Sequence, residues 1–96
     1  MEIKDKITGE KLLKYFKVTS QALEIARKSG NRTSLVKERE DIIDMVERYL
    51  KDALYFKDKG DYVNAFAALN YSHGWLDVGA RLGIFDVHDS KLFTAD

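Results

Sequence analysis

Glycines divide this chain of 96 residues into three stretches that are each long enough for a helix, and no proline interrupts them. The stretches end near Gly30, Gly60 and Gly83. Within each one, apolar residues recur at intervals of three and four, the spacing of one helix face. Thr8 and Asp61 have side chains suited to cap helix starts. The pattern therefore predicts three helices, over residues 9–29, 35–59 and 62–82.

The first two predicted helices each carry a single apolar stripe. Helix one presents Leu12, Phe16, Thr19, Leu23 and Ala26. Helix two presents Ile42, Val46, Tyr49, Leu50, Ala53 and Leu54, with charged residues on the opposite side. Gly30 follows Lys28 and Ser29, so we expect it to adopt the left-handed conformation that ends many helices. Each of these helices should bury one face and expose the other.

The links between the predicted helices are short, at residues 29–34 and 60–61. Short links make consecutive helices antiparallel neighbours. A chain of this length supports one hydrophobic core. We therefore predict a single all-α domain over residues 1–96, arranged as an antiparallel up-down-up three-helix bundle.

The last part of the chain, residues 84–96, is too apolar for a free tail and too short for another full helix. Its apolar residues are Ile84, Phe85, Val87, Leu92 and Phe93. We expect this C-terminal segment to fold back over one end of the bundle. A short helix at residues 90–93 is also predicted.

Helix three is apolar on two sides. The core side is formed by Tyr62, Ala65, Phe66, Leu69, Leu76 and Ala80, with His73 among them. The second stripe is formed by Ala68, Tyr71, Trp75, Val78 and Leu82. A helix of a lone three-helix bundle exposes about a third of its surface, so something must cover the second stripe. Either the C-terminal segment covers it, or Tyr71, Trp75, Val78 and Leu82 form a surface for a homodimer or a partner protein.

Two glycines, Gly74 and Gly79, lie inside helix three. Glycine in a helix interior costs about 0.5–1 kcal/mol relative to alanine. Close approach of another segment is a common reason for such a residue. We therefore expect neighbouring structure to lie against Gly74 or Gly79.

Helix three also carries a polar strip of Asn70, His73, Asp77 and Arg81. His73 and Asp77 are four residues apart and can share a metal ion, but two ligands do not complete a site. Arg81 and His88 have a spacing similar to that of a superfamily of small helical ribonucleases, where such residues bind phosphate and activate a hydroxyl. The structural interpretation is a packed histidine and an Arg81–Asp77 ion pair. We expect no catalytic residue, no metal and no cofactor.

The charge balance and the residue types restrict the partners. Sixteen basic and sixteen acidic side chains cancel, so no positive field attracts nucleic acid. The absence of cysteine excludes disulfides and fits a reducing compartment. No signal-like stretch and no long apolar run are present. We expect a cytoplasmic protein with no membrane partner, and we do not expect nucleic acid as a partner.

One part of the sequence resembles a known family. Residues 59–77 read KGDYVNAFAALNYSHGWLD, followed by Gly79 and by RLG at residues 81–83. This pattern, within residues 49–85, resembles the signature of the archaeal family called domain of unknown function 357. The resemblance implies a small helical bundle from an archaeon. It brings no established activity, so it implies no catalytic residues.

Two functions follow from these features. The first is a non-enzymatic module that self-associates or binds a partner protein through helix three. The alternative is a small helical RNA-acting or metal-binding enzyme that uses His73, Asp77, Arg81 and His88. Two observations distinguish these functions. One is which segment covers the second stripe, and the other is where Arg81 lies relative to His88.

Overall fold

The computed structural model describes residues 1–94 and contains three α-helices. They are α1 (Gly9–Lys28), α2 (Val36–Asp58) and α3 (Tyr62–Leu82). No strand occurs in residues 1–94, and every helix boundary lies within one residue of its prediction. The predicted all-α three-helix bundle is therefore confirmed. Ala95 and Asp96, the end of the predicted C-terminal segment, lie outside the described residues.

Three helix ends are capped as the sequence indicates. The Thr8 hydroxyl oxygen accepts a hydrogen bond from the Lys11 backbone N–H at 3.1 Å. The Asp61 carboxylate accepts one from the Asn64 N–H at 3.2 Å. Both bonds satisfy donors that have no partner within the helix. Gly83 ends α3 with a φ of 81°, a conformation that glycine adopts without strain.

The end of α1 differs from its prediction. The described residues with positive φ are Gly60 and Gly83, so Gly30 is not left-handed. Helix α1 instead ends at Ser29, which is extended and whose hydroxyl donates to the Ala26 carbonyl at 2.7 Å. An arginine from α2 also donates to the carbonyls of Ala26 and Arg27 at this end, which makes a left-handed glycine unnecessary.

Helix α3 lies between the other two helices and packs against both, while α1 and α2 make little contact with each other. The molecule is correspondingly flat, with extents of 45 × 28 × 19 Å. A central helix buries more of its surface than an outer one. This position explains the apolar residues on most sides of α3.

The core consists of two clusters along α3. The cluster near Gly83 contains Ala22, Leu23, Ala26, Ile42, Val46, Leu76, Ala80, Ile84, Phe85, Val87 and Phe93. The cluster near Gly60 contains Leu12, Ala53, Ala65, Ala68 and Leu69. Leu54, predicted for the core, is instead exposed. The first cluster depends on the C-terminal segment for four of its side chains.

The C-terminal segment folds back over one end of the bundle, as predicted. The Phe85 N–H donates to the Gly79 carbonyl at 3.2 Å, and the Asp86 N–H donates to the Gly30 carbonyl at 2.9 Å. Phe85 has no exposed surface. Residues 90–92 form a turn and not the predicted short helix.

Arg39, in the first turns of α2, connects this segment to the end of α1. Its Nη1 donates to the Ile84 carbonyl at 2.8 Å, and its Nη2 donates to the Ser29 carbonyl at 2.6 Å. The same two nitrogens also lie within hydrogen-bond distance of the carbonyl oxygens of Ala26, Arg27 and Gly30. The guanidinium carbon lies 5.2 Å from the centre of the Phe85 ring. Arg39 thus holds together three segments that are distant in sequence.

We predict that Arg39→Met lowers the free energy of unfolding by about 2–4 kcal/mol, because it leaves several carbonyls without their charged donor. Arg39→Lys should restore only part of this loss, since an ammonium group lacks the planar fork of donors. Urea denaturation measures both values.

Arg48→Met is the control, because Arg48 pairs with Asp44 on the exposed side of the same helix. Its effect should stay below about 1 kcal/mol. An equal effect of the Arg39 and Arg48 variants would contradict the role given to Arg39.

Candidate interaction surface on helix three

One side of α3 faces away from the core and is largely exposed, and we call it the outer face. Its apolar positions are Val63, Ala67, Tyr71, Gly74, Val78 and Leu82, all exposed. Tyr71 is 48% exposed, Val78 43% and Leu82 60%. The C-terminal segment packs elsewhere on α3 and leaves these three side chains uncovered. Three of the four residues predicted for the interaction surface therefore lie at the protein surface.

Trp75, the fourth predicted residue, lies at the edge of the outer face. It is partly buried and packs against the core cluster near Gly83. Its ring meets that of Tyr71 edge-on, with centroids 6.4 Å apart. Tyr71 also contacts the Tyr49 ring of α2 at 4.8 Å. These contacts fix the aromatic side chains, so little conformational entropy would be lost if another chain bound them.

Ala68 was predicted for the second stripe but is buried in the core cluster near Gly60. Its neighbour Ala67 is exposed on the outer face instead. At this position the outer face is therefore displaced from the predicted stripe by one residue, or about 100° around the helix. The prediction also missed Val63, which extends the outer face toward the start of the helix.

Gly74 lies at the centre of the outer face and has no side chain to fill the space above it. A depression of about 400 Å³ lies between Tyr71 and Val78 at this point. A second depression, of about 270 Å³, reaches from Gly74 to Tyr15 and Val18 of α1. A Cβ atom at Gly74 would meet no atom within 4 Å. The expected close approach is therefore absent at Gly74 in the isolated chain.

Gly79 shows the close approach that was predicted for one of the two glycines. It is buried, and a methyl group added there would overlap the ring of Phe85. The neighbouring group is thus an aromatic ring of the C-terminal segment. Gly79 lets that ring lie directly on the helix backbone.

The predicted polar strip does not form one network. His73 Nδ1 accepts a hydrogen bond from the Thr19 hydroxyl at 3.2 Å, and its Nε2–H donates to the Leu92 carbonyl at 2.7 Å. A carbonyl oxygen only accepts, so Nε2 must carry a proton, and in the neutral ring Nδ1 is then the acceptor for the Thr19 hydroxyl. His73 therefore joins α1, α3 and the C-terminal segment, as a packed and hydrogen-bonded histidine.

The other members of the strip have separate roles. The Asp77 carboxylate accepts a hydrogen bond from the Thr94 N–H at 3.1 Å and lies 3.8 Å from His73 Nε2. The predicted ion pair of Asp77 with Arg81 is not among the ion pairs within residues 1–94. Arg81 and Asn70 are exposed at the margin of the outer face.

Of the residues considered for catalysis or metal binding, His73 and Asp77 lie 3.8 Å apart, and His88 lies beside Asp86. The ring of His88 bonds to the Asp86 carboxylate at 2.9 Å, and the same carboxylate pairs with Arg32 at 3.3 Å. Gly83 ends the helix between Arg81 and His88. Within residues 1–94, no three His, Cys, Asp or Glu side chains are grouped as a metal site requires. Across the same residues, no helix has the length and apolar character needed to cross a membrane.

We predict opposite effects for alanine at the two interior glycines. Gly74→Ala should raise the free energy of unfolding by about 0.5–1 kcal/mol, because it improves helix propensity and meets no neighbouring atom. Gly79→Ala should lower it by about 1–3 kcal/mol, because Phe85 must move. Thermal unfolding of the dilute protein measures both, and a shift in the same direction for both variants would contradict this assignment.

We predict that His73→Ala loosens the end of the C-terminal segment, because it removes the donor to the Leu92 carbonyl. Amide hydrogen exchange at Phe93 and Thr94 should accelerate by about tenfold or more, with a stability loss of about 1–2 kcal/mol. Lys91→Ala, a change at an exposed position of the same segment, is the control and should leave these two amides unaffected. Unchanged exchange in His73→Ala would show that the histidine does not hold the segment.

A comparison with known proteins places the chain in a family. A family model described as a protein of unknown function (DUF357) matches residues 14–85. The match includes most of α1, all of α2 and α3, and the first residues of the C-terminal segment. No curated protein and no solved structure matches the chain. The chain belongs to the DUF357 family of proteins of unknown function.

Proposed function

We propose that this protein is a non-enzymatic interaction module that self-associates through the outer face of α3. The observation that carries the proposal is the row of exposed apolar residues along that face. Scattered apolar residues are common on protein surfaces, but a contiguous apolar patch is typical of a binding site. Here the apolar positions continue along the whole of α3.

The composition of the outer face supports binding to protein. Arg81 is the only charged residue among the exposed positions of α3. Protein interfaces are depleted of charge at their centre and enriched in Tyr and Trp, which contribute much of the binding energy. Tyr71 and Trp75 lie near the middle of the helix.

The overall charge is compatible with binding of a second copy. The formal net charge of the chain is zero, so two copies do not repel each other at long range. A cytoplasmic location and an archaeal source stay predictions that accompany this proposal. The alternative of an RNA-acting or metal-binding enzyme has weaker support, because both ring nitrogens of His73 are engaged by Thr19 and Leu92.

We predict that sedimentation velocity over the micromolar range shows a monomer–dimer equilibrium for the unaltered protein. Val78→Glu should weaken dimerisation by at least about tenfold, because association would bury an unpaired charge. Its melting temperature as a dilute monomer should change little, since Val78 is exposed.

Leu13→Glu is the matched control, because Leu13 is an exposed leucine on α1. It should leave the dimer intact. A protein that stays monomeric at every concentration, or a dimer that Leu13→Glu and Val78→Glu weaken equally, would refute the proposal.

A further inference from the structure

The apolar positions of the outer face follow a spacing that is the same in both directions along α3. From Val63 to Leu82, the intervals are four, four, three, four and four residues. The centre of this pattern lies between residues 72 and 73. A two-fold axis at that point, perpendicular to the helix, would bring every position of one copy opposite a position of the same set in another copy.

The sizes of the side chains fit this antiparallel arrangement. It places Tyr71 opposite Gly74 of the second copy, and Ala67 opposite Val78 of the second copy, each contact occurring twice. The depression at Gly74 would receive the tyrosine ring. A parallel arrangement would instead place Tyr71 against Tyr71 and leave the two Gly74 depressions facing each other. Interfaces pack as densely as protein interiors, so the antiparallel arrangement is favoured.

The charges fit the same arrangement. Arg81 lies in the last turn of α3, and Asp61 caps the start of the same helix. Antiparallel pairing brings Arg81 of one copy close to the end that carries Asp61 in the other. Parallel pairing would bring the two Arg81 side chains to the same end, where they repel each other.

We infer that two copies pair α3 with α3 in antiparallel orientation, with Tyr71 of each copy on Gly74 of the other. This inference rests on the proposed self-association and adds its geometry. It also explains Gly74, which has no packing partner in the isolated chain, because any side chain there would occupy the space of the second copy's tyrosine.

Disulfide cross-linking tests the pairing. The natural chain has no cysteine, so only the introduced cysteines can form a cross-link. Under mild oxidation, a mixture of the single variants Ala67→Cys and Val78→Cys should form a cross-link between the two different variants. Each variant alone should form none, because its two cysteines would lie 11 residues apart along the helix axis. That separation is about 16 Å, beyond the reach of a disulfide. Ser20→Cys, on the exposed surface of α1, gives the yield from random collisions.

The outcomes separate this inference from the proposed function. A dimer whose single variants cross-link to themselves is parallel, which overturns the inference and leaves self-association standing. If the protein is a dimer but the mixed variants cross-link no more than Ser20→Cys does, the helices pair in another register. That result also overturns the inference and leaves self-association standing. A monomer at every concentration overturns both.

A second measurement uses Gly74→Ala. The added methyl group should weaken dimerisation by about tenfold or more. The dilute variant is expected to melt at a higher temperature than the natural chain, so misfolding cannot cause the weaker association. A dimer of unchanged or greater affinity would overturn the inference.

Discussion

The guanidinium group of Arg39 connects the segments of this protein that helix packing alone does not hold together. The last carbonyls of α1 have no partners within the helix, and Ile84 belongs to a segment without regular structure. A planar cation with several fixed donors can bind all of these carbonyl oxygens at once. Its charge also favours the carbonyl end of α1, where the helix dipole is negative. The Phe85 ring lies beside the same group at 5.2 Å.

The position of Phe85 determines which side of α3 the C-terminal segment covers. The ring occupies the space left by Gly79, and His73 then binds the Leu92 carbonyl farther along the segment. Both contacts lie away from the outer face. The interactions that stabilise the bundle are therefore the same ones that leave Tyr71 and Val78 exposed. The outer face is therefore exposed because of how the fold forms its hydrogen bonds and packs its core, and not because the core is incomplete.

Local signals made the helices predictable, and the absence of such signals explains what was missed. Thr8, Asp61 and Gly83 act on backbone groups a few residues away, so their roles follow from the sequence. Arg39 bonds to carbonyls of residues up to 45 positions away. Every residue has a backbone carbonyl, so residue types do not show which carbonyls will accept such a bond. In the sequence Arg39 resembles any charged residue on the solvent side of α2. The conformation of Gly30 could not be predicted either, because it depends on Arg39.

The outer face was predictable only in part, because a helix that is apolar on most sides gives no sharp amphipathic pattern. Ala67 and Ala68 are adjacent and identical, and only the positions of α1 and α2 decide which one is buried. The sequence does not distinguish Gly74 from Gly79 either, because both carry the same cost in helix propensity. At Gly79 the contact with Phe85 offsets that cost within the chain. At Gly74 no atom of residues 1–94 lies close enough to offset it, and this is the observation that the proposed pairing explains.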